Sequence, residues 1–239
     1  GTSDFTVARV GPDRAVFADR GNDILATTGV HIGGTDFDQL LNLRHVMPLL
    51  GLGHVGPHGR SMPSSLFHAL STWHLVPQCY TRKSLHDAAQ LRSDYTEPAL
   101  HKRLMHVLHE RQGHRILAHT EAAKIDCSNT RADAQIELDC IERGLGVPLT
   151  PAGLDATLQA QVASIVACAQ ACVARSGVPA NRLQALYLTG GSSALAPLGV
   201  ALGEAFPGAQ LVTGDRLGSV AAGLAYGGAA VGRAMAVES

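Results

Sequence analysis

Residues 186–213, LYLTGGSSALAPLGVALGEAFPGAQLVT, carry the pattern that decides the fold. Leu186, Tyr187 and Leu188 are the short apolar run of a buried strand, and Thr189-Gly190-Gly191-Ser192 is a turn. A helix to Phe206 follows, then a strand from Gln210 to Thr213. Upstream, Thr150-Pro151 is a cap with proline in the first turn, and Leu154, Leu158, Val162, Ile165, Ala169, Cys172 and Val173 make one apolar helix face through Ala174. Downstream, a final helix is expected from about Gly218. Strands that alternate with helices make this third of the chain an α/β layer.

The start of the chain can add to that layer. Phe5, Val7 and Val10, then Ala15 to Ala18, then Ile24 to Thr27 are β-prone runs separated by Gly11-Pro12-Asp13 and Gly21-Asn22-Asp23, which predicts a three-strand meander in the same sheet. His31-Ile32-Gly33-Gly34-Thr35-Asp36 breaks the pattern. Phe37, Leu40, Leu41 and Val46 then recur at helical spacing. Between these ends the chain reads as a Gly/Pro-rich loop at 51–63, helical stretches near 64–72 and 84–93, and one long helix from Glu97 to about Ser128 that Gly113 kinks. Ile136, Leu138 and Cys140 alternate with polar residues as in a half-buried strand. The expected organisation is a sheet domain of residues 1–34 and 149–239, carrying an inserted, mainly helical subdomain of residues 35–148.

Composition narrows the function. With 46% hydrophobic and 16% charged residues among 239, the chain can bury a large core without disulfides or a structural metal. Its 19 Lys plus Arg against 20 Asp plus Glu leave a net charge of −1, no surplus for a phosphate backbone or an anionic bilayer. Only 4% of residues are aromatic, too few for a base-stacking surface. Neither nucleic acid nor membrane is therefore expected as a partner. The five cysteines include no CxxC pair, which fits a reducing, cytoplasmic setting. The longest uncharged stretches, such as 183–203, contain Gly-Gly and Pro and predict no membrane span. A strand pattern that opens on Gly1-Thr2-Ser3-Asp4 without an initiator Met predicts a fragment of a longer protein.

Two Gly-Gly turns stand where a strand hands over to a helix, at Gly33-Gly34 and Gly190-Gly191. Glycine there admits a ligand to the backbone, and the following helix start offers N–H groups to anions; such turns also serve as packing devices. On the long helix, Glu121, Lys124 and Ser128 fall within about 60° of one stripe. Glu accepts from sugar hydroxyls, Lys donates, and Ser does both, so the stripe suits a ribose or purine edge as well as a plain solvated Glu-Lys pair.

The order of these pieces resembles the seventy-kilodalton heat-shock chaperones, the DnaK-like family. It runs from Gly1-Thr2-Ser3-Asp4 through LATTGVHIGGTDFDQLL (25–41), EAAKIDCS (121–128) and LYLTGGSSALAPL (186–198) to GSVAAGLA (218–225). The resemblance spans the second lobe of that family's ATPase domain, an actin-like (ribonuclease H-like) α/β fold, and is similar to short members without a peptide-binding domain. Residues 45–95 match poorly. The resemblance implies ATP or ADP with magnesium as cofactors: Thr2 and Asp4 as catalytic residues, Thr2 at the γ-phosphate and Asp4 holding Mg through water, with Gly1 beside them and Gly33 and Gly34 on the phosphate side. It also implies Glu121, Lys124 and Ser128 at the adenosine, with Gly190, Gly191 and Ser192 completing the pocket. The family's adenine-stacking Arg falls at Ala194, and a family Asp falls near Leu217, with Asp215 nearby as a substitute. The first lobe, which supplies the catalytic Lys and half of the Mg site, is not in this sequence. A chaperone-like ATPase with an unfolded client or cochaperone as partner is the implied function. A small-molecule kinase of the same superfold and a non-catalytic interaction module are the alternatives.

All twelve histidines lie between His31 and His119. His109-Glu110-Arg111-Gln112-Gly113-His114 is one residue longer than the zinc-protease spacing, which sets its histidines about 140° apart on a helix instead of on one face. Solvated and loop histidines are the expected reading. Cys168 and Cys172 are expected as small buried groups on their helix.

Overall fold

The computed structural model describes residues 1–11, 14, 21–57 and 59–214. These residues form a mixed α/β chain in two compact units, Gly1–Gly33 with Ala160–Ser239 and Gly34–Gln159. The third expected strand at 15–18 and the final helix from Gly218 lie outside the described residues, as do Asp215 and Leu217.

In the first unit, β1 (Ser3–Ala8) pairs antiparallel with β2 (Ile24–Val30), in a register that sets Asp4 opposite Gly29 and Phe5 opposite Thr28. Phe5 and Val7 fall on one face by strand alternation. That face meets the second half of α6 (Pro151–Ser176): the Thr28 hydroxyl donates to the Cys168 carbonyl at 3.2 Å, and the Cys172 thiol to the Phe5 carbonyl at 3.4 Å. After it, β5 (Ala185–Leu188), α7 (Ala196–Ala205) and β6 (Gln210–Thr213) form a parallel β-α-β layer, in which Ala185 pairs with Gln210. Leu198, Leu202 and Phe206 bury the inner side of α7.

The second unit is mainly helical: α1 (Gly34–Leu41), α2 (Ser65–Leu70), α3 (Arg82–Gln90), α4 (Pro98–His109) and α5 (Gly113–Thr130), with a hairpin of β3 (Ala134–Glu137) and β4 (Gly146–Leu149). Phe37, Leu41, Phe67, Leu70, Leu104 and Ile116 fill its core, each worth about 1.5–3 kcal/mol of apolar burial. The chain reverses after α1 at Gly51, whose φ of 113° favours glycine and whose Cβ would lie 2.4 Å from the Tyr95 ring. Tyr95 is fixed there by donating to the Leu50 carbonyl at 2.8 Å.

The division between units falls inside α6 (Pro151–Ser176), the helix predicted from the Thr150-Pro151 cap. By length and composition α6 can cross a membrane, with a mean hydropathy of 1.4 over a window that is 33% buried. Its outward positions are small or polar, among them Ala156, Gln159, Ala163, Gln170 and Ala174, while Leu154, Leu158, Ile165 and Cys172 are buried, as in an amphipathic core helix.

Four expectations are corrected. The opening strands and the C-terminal strands do not share a sheet among the described residues; each pair is a separate two-stranded sheet. The single helix from Glu97 to Ser128 is two helices, broken where Arg111 takes a left-handed φ of 53°. Gly113 is not a kink but the first residue of α5, and the space a Cβ would need is filled by the Tyr80 hydroxyl and Val76, both at 2.7 Å. The strand at 136–140 ends at Glu137, because the Asp139 side chain accepts from Gly144 N–H and folds the chain into a turn that buries Leu138 and Ile141. After Gly190, a short 3-10 turn at Gly191–Ala194 precedes α7, whose start at Ala196 is fixed by Pro197 in its first turn.

Candidate functional site

The candidate residues fall into two clusters, one in each unit. In the first unit, Thr2, Asp4, Gly190, Gly191 and Ser192 all line one cavity of about 1130 Å³. Apolar side chains including Ile165, Cys172, Leu198 and Phe206 form its inner wall, and Arg9, Arg182 and Gln210 add polar groups. The Thr2 hydroxyl donates to Asp4 Oδ2 at 2.7 Å. Asp4 Oδ1 lies over Gly29, where a Cβ would stand 2.4 Å away, so only glycine at that register position lets the carboxylate settle there. Gly190 turns the chain at φ 84°, and a Cβ on it or on Gly191 meets nothing within 4 Å. The backbone at this turn is open to a ligand, as a phosphate or sugar requires.

Gly33 is built the other way. A Cβ on it would come within 2.7 Å of Gly1 Cα and 3.2 Å of Thr2 N, so the chain's own backbone fills the space in front of it. Gly1 and Gly33 do not line the cavity. Gly34 is the first residue of α1. The Ser3 hydroxyl donates to the Ile32 carbonyl at 2.8 Å and ties β1 to the segment that precedes Gly33.

In the second unit, the expected stripe on α5 divides. Lys124 and Ser128, one turn apart, are buried at 7% and 4% exposure, while Glu121 is exposed. Lys124 Nζ lies 2.7 Å from Asp38 Oδ1 on α1, with 9% and 11% of the two side chains exposed. Burial pushes the Asp38 carboxyl above its usual range despite Lys124, and the charges of Glu121 and Asp36 push the same way. Asp38 is a candidate-site residue that the spacing of the Gly33-Gly34 turn and α5 does not point to. The signal was present: on α1 it falls between Phe37 and Leu41, and a carboxylate on an apolar helix face calls for a partner.

Several histidines of the second unit hold its backbone together by hydrogen bonds. The rings of His101, His106 and His114 donate through Nε2 to the carbonyls of Ala88 (3.1 Å), Cys140 (3.2 Å) and Trp73 (3.0 Å), and His119 bonds the Glu137 carbonyl. His54 instead accepts from Thr96 N–H at 3.1 Å. His109 and His114 stand on different helices, with the break at Arg111 between them. Among the described residues no group of three or more His, Cys, Asp or Glu is disposed to hold a metal ion. All five cysteines are free. No family model matches the chain.

Proposed function

We propose that the chain is a nucleotide-binding lobe of a chaperone-like ATPase with an actin-like fold, binding ATP or ADP with magnesium. The observation that carries this reading is the cavity of the first unit, where an open glycine turn and the Thr2-Asp4 pair line the same space. Gly190 and Gly191 would admit the nucleotide to the backbone, and Ser192 would supply a hydroxyl that both donates and accepts. Asp4, an exposed carboxylate steadied by the Thr2 hydroxyl, fits a hard cation held through water. Magnesium, when bound, would neutralise phosphate charge.

Hydrolysis in this reading needs a first lobe with its own lysine and phosphate loop, so this chain alone turns over ATP no faster than buffer. Turnover at rates on the order of 1–100 per second would overturn the assignment. A client or cochaperone is the proposed protein partner, and a cytoplasmic location, supported by the unbridged cysteines, belongs to the same proposal. Two observations favour a second reading, an interaction module that has lost hydrolysis: Lys124 is already answered by Asp38, and Ala194 offers no cation to stack on a base.

The test is calorimetric titration of ADP with and without magnesium. Binding by wild type should strengthen with magnesium, and Asp4→Asn should remove that dependence while leaving metal-free binding in place. Equal magnesium dependence in Asp4→Asn would take Asp4 out of the site.

A further inference from the structure

The histidine-rich region presents a surface that neither cluster uses. Trp73, the chain's one tryptophan, is 55% exposed. Its ring is nonetheless fixed: the His114 imidazole packs on it with centroids 4.6 Å apart at 59°, and the same imidazole bonds the Trp73 carbonyl at 3.0 Å. Tyr80 adjoins this pair. Its hydroxyl accepts from Gly113 N–H at 2.9 Å, and the Arg111 guanidinium stands 5.9 Å over its ring. Trp, Tyr and Arg are the residue types that dominate binding hot spots, and here they are ordered before any partner arrives.

Arg111 differs from Arg131, the other left-handed arginine among the described residues. Arg111 and Arg131 both take a left-handed φ of 53° after a helix, a place where glycine is usual and another residue costs about 1 kcal/mol. Arg131 is answered by Asp155, which accepts two bonds from its guanidinium at 2.9 and 2.7 Å. Arg111, exposed over Tyr80, has no carboxylate partner among the described residues. In sequence, the stretches that carry these residues, 72–84 and 109–116, hold Arg82, Lys83, Arg111 and Arg115 against one acid, Glu110, in a chain of net charge −1.

We propose that this surface docks an acidic, extended peptide segment of another protein, with carboxylates at Arg111 and its cationic neighbours and an apolar side chain on Trp73. A nucleic acid fits less well. Its binding needs a track of stacking aromatics and commonly about 6–10 phosphate contacts, where this surface offers a single exposed indole and a few cations.

Because Trp73 is the sole indole, its emission reports directly on the surface. The probe is a synthetic peptide of glutamates around one leucine, free of aromatics, titrated into the full chain. The expected result is a saturable emission change that weakens with salt and is lost when glutamines replace the glutamates. Arg111→Gly should weaken binding at least about fivefold, the loss of one charge-assisted contact. Its melting temperature should hold or rise, since glycine is at ease at this φ. Arg111→Gln, which leaves the backbone as it is, repeats the test should glycine loosen the junction. The proposal is overturned by an absent or unsaturable response, by wild-type affinity in both Arg111 variants, or by tighter binding of single-stranded poly-uridine. An emission change that follows protein concentration alone, which would mean a second copy docks, also overturns it.

Discussion

The two Gly-Gly turns read alike in the sequence and are built in opposite ways. Gly33 has Gly1 and Thr2 backbone against it, whereas Gly190 and Gly191 face open space in the wall of a cavity. One pair is needed because the chain itself comes close; the other leaves room for something that is not the chain. The same contrast separates the charged candidates. Asp4 stands exposed beside the cavity, while Lys124 is buried against Asp38. A residue type at the right spacing can be a site or a packing device, and what decides is whether a distant segment has already taken the space.

Glycine substitutions probe that contrast most strongly. Gly51→Ala combines an unfavourable φ with a clash against Tyr95 and should cost about 2–3 kcal/mol, read by chemical denaturation. Gly191→Ala, pointing into open space, should cost less than about 0.5 kcal/mol. Similar losses for both would erase the distinction between closed and open glycines.

The buried pair gives a smaller and pH-dependent effect. A carboxyl raised above its ordinary value of 3.8 binds its proton more readily in the folded chain, so its contribution to stability is present at low pH and is lost as pH rises through its native pKa. The melting temperature of wild type minus that of Asp38→Asn should therefore fall as pH rises from about 3.8 into the neutral range. A difference that grows instead would mean that the attraction of Lys124 outweighs burial, and that the pair is a stabilising lock. The smallest expected effect is that of a chelator. With the rings of His101, His106 and His114 bonded to carbonyls, removing divalent metal should leave the melting temperature unchanged.

Local signals in the sequence were legible where periodicity was long or the punctuation strong. The Thr150-Pro151 cap and the apolar stripe behind it define α6, and the short run at 186–188 and the strand at 210–213 stand where their apolar character puts them. The break between α4 and α5 was not legible, because it depends on an arginine in a glycine-type conformation and on Tyr80 and Val76, which are more than 30 residues away in the chain. The separation of the two strand pairs was equally invisible, since each strand carries only a local β pattern and nothing in it records its neighbour. Of the candidate site, Thr2 and Asp4 line one cavity with the Gly190 turn, a grouping of segments far apart in the chain that no local pattern records. The pairing of Lys124 with Asp38 went unread, because the two lie on different helices and meet only in the packed unit.

In the proposed function, the open turn at Gly190-Gly191 receives a nucleotide. Gly191→Val fills that opening without touching the core, so its melting temperature should match wild type. Calorimetric titration with magnesium-ADP should then give a dissociation constant near millimolar for wild type, about 4 kcal/mol of binding, and no detectable heat for the variant. Wild type without binding heat, or a Gly191→Val that binds as wild type does, would contradict the account.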